Sequence, residues 1–111
     1  MPDMLTRLLA LVSLKSDGKP KVRRSSRWAA VRAAHLRKEP RCAACGGAKG
    51  LEVHHIIPVH VDPSKELLTD NLLTLCEDDH FTFGHLKSWH SFNKDVSGDC
   101  ATYLEKIKGR P

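Results

Sequence analysis

The chain has 111 residues, of which 41% are hydrophobic, and a net charge of +5. This length suits one small domain rather than two, and no run approaches the roughly 20 apolar residues of a transmembrane helix. With no convincing signal peptide either, we expect a cytoplasmic protein that does not enter a membrane, where a CxxC pair indicates a metal site more often than a disulfide.

The positive charge is concentrated in the N-terminal part of the chain. Residues 15–41 contain ten Lys/Arg and two acidic residues, whereas the remainder has a net negative charge. A basic segment of this kind is typical of proteins that bind polyanions, although it could also be a solvated linker. We predict a short helix and basic linker at 1–25, followed by one folded domain at 26–111.

Two helices are predicted in the first third of the chain. Apolar spacing at 4–14 predicts a short amphipathic helix. A second helix is predicted at about 27–38, because the residue before Pro40 disfavours helical dihedral angles. Trp28 and Val31 are its larger apolar anchors. The arginines expected to contact phosphates are Arg23, Arg24, Arg27 and Arg32.

The middle of the chain predicts a two-stranded antiparallel ribbon. Its strands lie at 51–61 and 72–75, separated by a loop that contains Pro63 and Asp70. Because side chains alternate along a strand, His54 and His55 should point to opposite sides. A bend where the strand ends could still bring both into one cleft.

Two further helices are predicted after the ribbon. The first begins near Glu77 and continues to about Trp89, with Gly84 as a kink or a close backbone approach. Residues 96–99 are predicted to form a turn before the last helix, with Ser97 or Asp99 as the cap.

The first candidate metal site has the spacing of zinc ligands: Cys42, Cys45, Cys76 and Asp79. Thiolates and carboxylates are both zinc ligands, so we predict a structural zinc ion here. His80 or His85 could replace Asp79, and three buried cysteines without a metal are the alternative. Cys100 is assigned to the core, because it lies on the apolar face of the last helix.

A second group contains polar residues of the ribbon and of the following helix: His54, His55, Asn71 and His80. Hydrolysis of a phosphodiester needs a base that activates water and a cation that stabilises the developing charge. A histidine with a pKa near neutrality suits the role of the base. The other histidines, His35, His60 and His90, are interpreted as surface or core residues without a catalytic role.

Four sequence features occur in one order: CxxC, Glu-Val-His-His-Ile-Ile-Pro, Asn-Leu-Leu-Thr-Leu-Cys and Asp-His. This order resembles the HNH endonucleases of the ββα-metal (His-Me finger) fold, particularly small phage-type and bacterial members with a zinc ribbon. The resemblance covers about 27–92. It implies a small α+β domain in which a two-stranded antiparallel ribbon is surrounded by helices and braced by the zinc ribbon.

The resemblance also implies roles for individual residues. His55 would be the general base, and His54 and His80 would ligate a catalytic Mg²⁺, Mn²⁺ or Ni²⁺ ion. Asn71 would hold the loop and the base through backbone hydrogen bonds. The family often has Cys-x-x-Cys-His where this chain has Asp79 and His80, and the role of His85 stays open.

The leading interpretation is a metal-dependent endonuclease that nicks DNA or cleaves both strands. The alternatives are a zinc-ribbon module that binds nucleic acid with an inactive nuclease site, and a zinc-stabilised interaction domain. DNA is the expected partner. A homodimer and an association with phage packaging proteins are further expectations from the resemblance.

Overall fold

A computed structural model describes residues 23–109, so the helix predicted at 4–14 and most of the predicted linker lie outside the described residues. In chain order the main elements are α1 (Trp28–Lys38), β1 (Leu51–His55), β2 (Leu72–Cys76), α2 (Glu77–Asp79), a π-helical turn (His80–Gly84) and α3 (Val96–Lys108). Short 3₁₀ turns at Pro63–Lys65 and Thr69–Asn71 lie between the strands. The predicted α+β class, with a two-stranded antiparallel sheet and helices, is confirmed.

Helix α1 agrees with its predicted range to within one residue at its start. It ends at Lys38, where Glu39 leaves the helical region immediately before Pro40. Trp28 and Val31 are half-buried, and the helix contacts both strands of the ribbon. His35 is buried on this helix, 3.3 Å from the carboxylate of Glu39.

The antiparallel register pairs His54 with Leu73 and His55 with Leu72. Strand β1 ends at His55, so the prediction of a strand continuing to residue 61 is wrong. The Ile56 amide still donates in register to the Asn71 carbonyl oxygen, but the Asn71 amide donates to Leu68 and the Ile57 amide donates to the Asn71 side-chain oxygen, at 2.9 and 2.8 Å. The chain therefore leaves the sheet directly after the two histidines.

The prediction of one helix at 77–89 is also wrong. Helix α2 is one short turn, and the π-helical turn that follows is closed by an i→i+5 bond from the His85 amide to the His80 carbonyl oxygen at 3.2 Å. Leu86 and Lys87 then take φ values of 55° and 65°. Two consecutive residues with left-handed backbone conformations end the right-handed helix.

Helix α3 begins at Val96, so the prediction of a turn at 96–99 is wrong. Its N-cap is Asp95, and Ser97 and Asp99 lie inside the first turn. Asn93 explains the earlier start, because its side chain accepts from the Asp95 amide and donates to Asp99, at 3.0 and 2.8 Å. The Asn93 side chain thus makes the local hydrogen bonds at the start of the helix that were predicted for Ser97 or Asp99.

The main buried cluster lies between the cysteine turn, β2 and α3. It consists of Cys42, Ala44, Leu75, Val96 and Cys100. Cys100 is fully buried, which confirms its assignment to the core. Among residues 23–109, no helix is both long and apolar enough to cross a membrane.

Candidate active site and metal centres

Three cysteines and one aspartate converge beside the end of β2. One potential ligand atom from each of Cys42, Cys45, Cys76 and Asp79 lies within 4.8 Å of every other. The turn after Cys42 folds back so that the amides of Ala44 and Cys45 point at its sulfur, at 3.4 and 3.5 Å. Gly46 follows with a φ of 77°, a conformation that glycine adopts without steric cost.

Asp79 contacts two members of this cysteine cluster. Its Oδ2 atom accepts hydrogen bonds from the thiols of Cys42 and Cys76, at 3.2 and 3.3 Å. Burial raises the pKa of the Cys76 thiol to about 12, which keeps the proton on the sulfur and makes it the donor. Three sulfurs and a carboxylate oxygen at this separation match the donor set of a tetrahedral zinc site. The cluster could therefore bind a zinc ion.

Three histidines form a second cluster. His54, His80 and His85 each offer one ring nitrogen within 4.8 Å of the others. Their ring centroids are separated by 4.9 to 5.0 Å. Imidazole nitrogens suit several divalent metal ions, so this group too could bind a cation.

His54 is the most deeply buried member of this cluster, with 1% of its surface exposed. Within the part of the chain that the structure describes, neither of its ring nitrogens has a hydrogen-bond partner. Burial, together with the neighbouring His80 and His85, lowers its pKa to about 2, so the ring stays neutral. A bound cation would satisfy one of these buried nitrogens, which shows that the cluster fits a metal ion.

Gly84 makes room for the His54 ring. A Cβ atom built on Gly84 would lie 2.9 Å from Cε1 and 3.0 Å from Nδ1 of this ring. The close backbone approach predicted for Gly84 is therefore present.

The π-helical turn brings His85 into the cluster. In an α-helix with 3.6 residues per turn, positions i and i+5 do not lie above one another. The i→i+5 bond between His80 and His85 stacks these two positions instead. The sequence left the role of His85 open, because Gly84 makes the register of the helix uncertain at this point.

His80 is also held by a carboxylate that sequence reasoning missed. Its Nδ1 atom lies 2.6 Å from Oε1 of Glu52. Glu52 lies two residues before His54, so both side chains belong to the same face of β1. That strand periodicity was the available signal, but it did not reveal the distant partner.

His55 lies apart from the three-histidine cluster. Its ring packs against Trp28 of α1 at a centroid distance of 4.5 Å. Its Nε2 atom lies 2.9 Å from the carbonyl oxygen of Glu66. Because a carbonyl can only accept, Nε2 carries the proton and Nδ1 keeps the lone pair. Burial lowers the pKa of His55, which favours this neutral form.

Asn71 ties together the loop that follows His55. Its side-chain amide donates to the carbonyl oxygens of Ile57 and Lys65, at 3.0 and 3.2 Å. Its side-chain oxygen accepts from the Ile57 amide. Asn71 is buried, so these bonds satisfy its polar atoms and fix the loop.

The arginines that sequence analysis assigned to phosphate binding are all exposed at the N-terminal side of the domain: Arg23, Arg24, Arg27 and Arg32. The guanidinium carbon of Arg24 lies 5.7 Å from the Trp28 ring centroid. The amide of the next residue, Ser25, donates to the Glu66 carboxylate at 2.9 Å. Glu66 thus contacts the segment that carries Arg24 and also, through its carbonyl, His55.

A cavity of about 160 Å³ is bordered by the histidines and by Arg24. His54, His80 and His85 line it together with His55 and Arg24. The adjacent His54 and His55 therefore border one cavity although their rings have different neighbours. His60 also lines this cavity, whereas His90 is exposed outside its lining.

Comparison with known proteins gives one family match. The HNH endonuclease family model matches residues 41–85. No curated protein and no solved structure shows a significant match. The matched residues include both candidate metal clusters, His55 and Asn71. Residues 41–85 of this chain are therefore similar to the HNH endonuclease family.

Proposed function

We propose that the protein is a metal-dependent endonuclease that hydrolyses DNA phosphodiester bonds. HNH domains act on DNA, which supports the substrate class. The observation that carries the proposal is the cavity shared by His55 and the three-histidine cluster. A water-activating base and a cation-binding group at one cavity are two requirements of phosphodiester hydrolysis.

His55 is the proposed general base. Its Nε2 proton is committed to the Glu66 carbonyl oxygen, so Nδ1 is the atom that accepts a proton from water. Its ring is held on one side by Trp28, which limits rotation away from the cavity. Asn71 supports the base indirectly, because it fixes the loop that follows His55.

His54, His80 and His85 are the proposed ligands of the catalytic cation, which extends the pair expected from the sequence by one residue. A bound Mg²⁺, Mn²⁺ or Ni²⁺ ion would supply positive charge for the scissile phosphate and the leaving oxygen. The neutral state of His54 keeps a lone pair available for that ion. Arg24, at the edge of the same cavity, is proposed to bind a phosphate group.

The remaining basic residues are proposed to position the DNA. Arg23, Arg27 and Arg32 are exposed, and phosphate contacts of this kind orient a protein without reading sequence. The cysteine cluster is proposed to hold a structural zinc ion. Homodimerisation and association with phage packaging proteins stay predictions from the resemblance.

A zinc-ribbon module that binds nucleic acid without cleaving it is the alternative. It shares the cysteine cluster and the basic segment, so DNA binding does not separate the two functions. A plasmid cleavage assay separates the two functions. Supercoiled plasmid is incubated with chelator-treated protein, first without added metal and then with Mg²⁺, Mn²⁺ or Ni²⁺. Nicking or linearisation that requires an added ion supports the nuclease. Salt-sensitive DNA binding without cleavage in any ion would support the alternative.

A further inference from the structure

We propose that Glu52 is a positioning residue for the catalytic cation, which it serves by holding His80 in one tautomer and orientation. This inference rests on the proposed function, because it concerns the same metal site. Its geometry is the 2.6 Å contact between the Glu52 carboxylate and Nδ1 of His80.

The contact determines which nitrogen of His80 can bind a metal. An ionised carboxylate accepts hydrogen bonds only, so Nδ1 of His80 must carry the proton. The lone pair is then on Nε2, so Nε2 is the nitrogen that could coordinate a metal ion. Metal-binding histidines commonly donate their other ring N–H to a carboxylate, which fixes the ring and increases its basicity.

The strand places Glu52 for this role. Glu52 and His54 belong to the same face of β1, opposite Leu75 and Leu73 in the ribbon register. The His54 and His80 rings lie 4.9 Å apart. One strand face therefore supplies a metal ligand directly and orients a second ligand from the neighbouring helix.

Partial burial strengthens the contact. The side chains of His80 and Glu52 are 14% and 34% exposed. A charge-assisted hydrogen bond in this setting is stronger than one between neutral groups. The carboxylate also adds a negative charge beside a site that would hold a divalent cation, which favours cation binding.

Two substitutions separate the hydrogen bond from the charge. Glu52→Leu removes both, whereas Glu52→Gln keeps a side-chain oxygen that accepts from Nδ1 but removes the charge. Glu39→Gln is the matched control, because Glu39 also lies beside a histidine, His35, which belongs to neither metal cluster. All three variants would be prepared with zinc in the cysteine cluster.

The first readout is Mn²⁺ affinity by titration calorimetry. We expect Glu52→Leu to bind Mn²⁺ about 10- to 100-fold more weakly than the unchanged protein, Glu52→Gln to be intermediate, and Glu39→Gln to be unchanged. The second readout is the His80 tautomer without Mn²⁺, from long-range ¹H–¹⁵N NMR spectra. Nδ1–H should dominate in the unchanged protein and in Glu52→Gln, and should give way to a mixture in Glu52→Leu.

Unchanged Mn²⁺ affinity in a folded Glu52→Leu variant would overturn the proposal. If that variant does not fold, the tautomer decides, and an unchanged protein in which Nδ1–H of His80 does not dominate overturns it. These results are distinct from failure of the proposed function. A protein that binds Mn²⁺ through Glu52-oriented His80 but cleaves no DNA would contradict the nuclease and leave this inference intact.

Discussion

Gly84 and His54 approach so closely that an added methyl group could not fit between them. The Cβ position of Gly84 is 2.9 Å from Cε1 of the His54 ring, and 3.0 and 3.1 Å from its two nitrogens. The contact joins the π-helical turn to β1 at the three-histidine cluster. It makes the backbone at residue 84 part of the wall that holds a proposed metal ligand.

Gly84→Ala should therefore displace the His54 ring. We expect a loss of about 1–3 kcal/mol in the free energy of unfolding, as for other overpacked sites, together with weaker Mn²⁺ binding. Gly98→Ala is the matched control, since a Cβ atom there has no neighbour within 4 Å and alanine is favoured inside a helix. Urea unfolding and Mn²⁺ titration would measure both effects. Equal Mn²⁺ affinity in the two variants would contradict this role for Gly84.

Asn71→Asp should destabilise the loop that follows His55. An aspartate cannot donate to the Ile57 and Lys65 carbonyl oxygens that Asn71 now satisfies. Because lost partners of buried polar groups are costly, we expect about 2 kcal/mol or more of lost unfolding free energy, measured in urea. Asp70→Asn changes an exposed neighbour in the same 3₁₀ turn and should stay within about 0.5 kcal/mol. Similar losses in both variants would show that the Asn71 bonds contribute little.

The cysteine cluster should retain zinc through purification. Metal analysis should find about one zinc per chain, and zinc removal should lower the melting temperature. Asp79→Cys should hold zinc more strongly against a chelator, because it restores four thiolates. Cys100→Ala should keep its zinc, since Cys100 belongs to the core and not to the cluster. A metal-free protein with an unchanged melting temperature would rule out a structural zinc.

DNA affinity should fall steeply as salt increases, because the proposed contacts are with phosphates. Arg24→Ala should weaken binding at every salt concentration and reduce the slope of log K against log salt by about one. Lys49→Ala, an exposed lysine outside the basic segment, is the control. A slope that is the same for Arg24→Ala and the unchanged protein would remove Arg24 from the set of phosphate contacts.

Much of the fold follows from local sequence patterns. The strand alternation around His54 and the helix stop before Pro40 depend on short-range backbone preferences, and both elements are present. The zinc-type spacing of the cysteines also places their side chains together, because tight turns bring residues three apart into contact. Only the resemblance to the HNH family, in the order of the four sequence features, indicated that the cysteines and the strand around His54 belong to one domain.

The wrong or missing predictions concern places where local sequence patterns do not determine the structure. The Asn71 amide donates to Leu68, and the Asn71 side chain accepts from the Ile57 amide, so the pairing of β1 stops there. No periodicity near residue 56 reveals this. The π-helical turn has no simple residue pattern, so the register that brings His85 beside His80 could not be predicted from the sequence. The Glu52–His80 contact joins residues 28 positions apart, a distance that one sequence alone cannot resolve.

Plasmid cleavage by His55→Ala tests the central claim most directly. With Mn²⁺ present, loss of the proposed base should lower the cleavage rate by about 10²- to 10⁴-fold, while DNA affinity and Mn²⁺ binding remain. His90→Ala, which removes an exposed histidine outside the cavity lining, should cleave at the unchanged rate. Equal nicking of supercoiled plasmid by the two variants would contradict the assignment of His55 as the base.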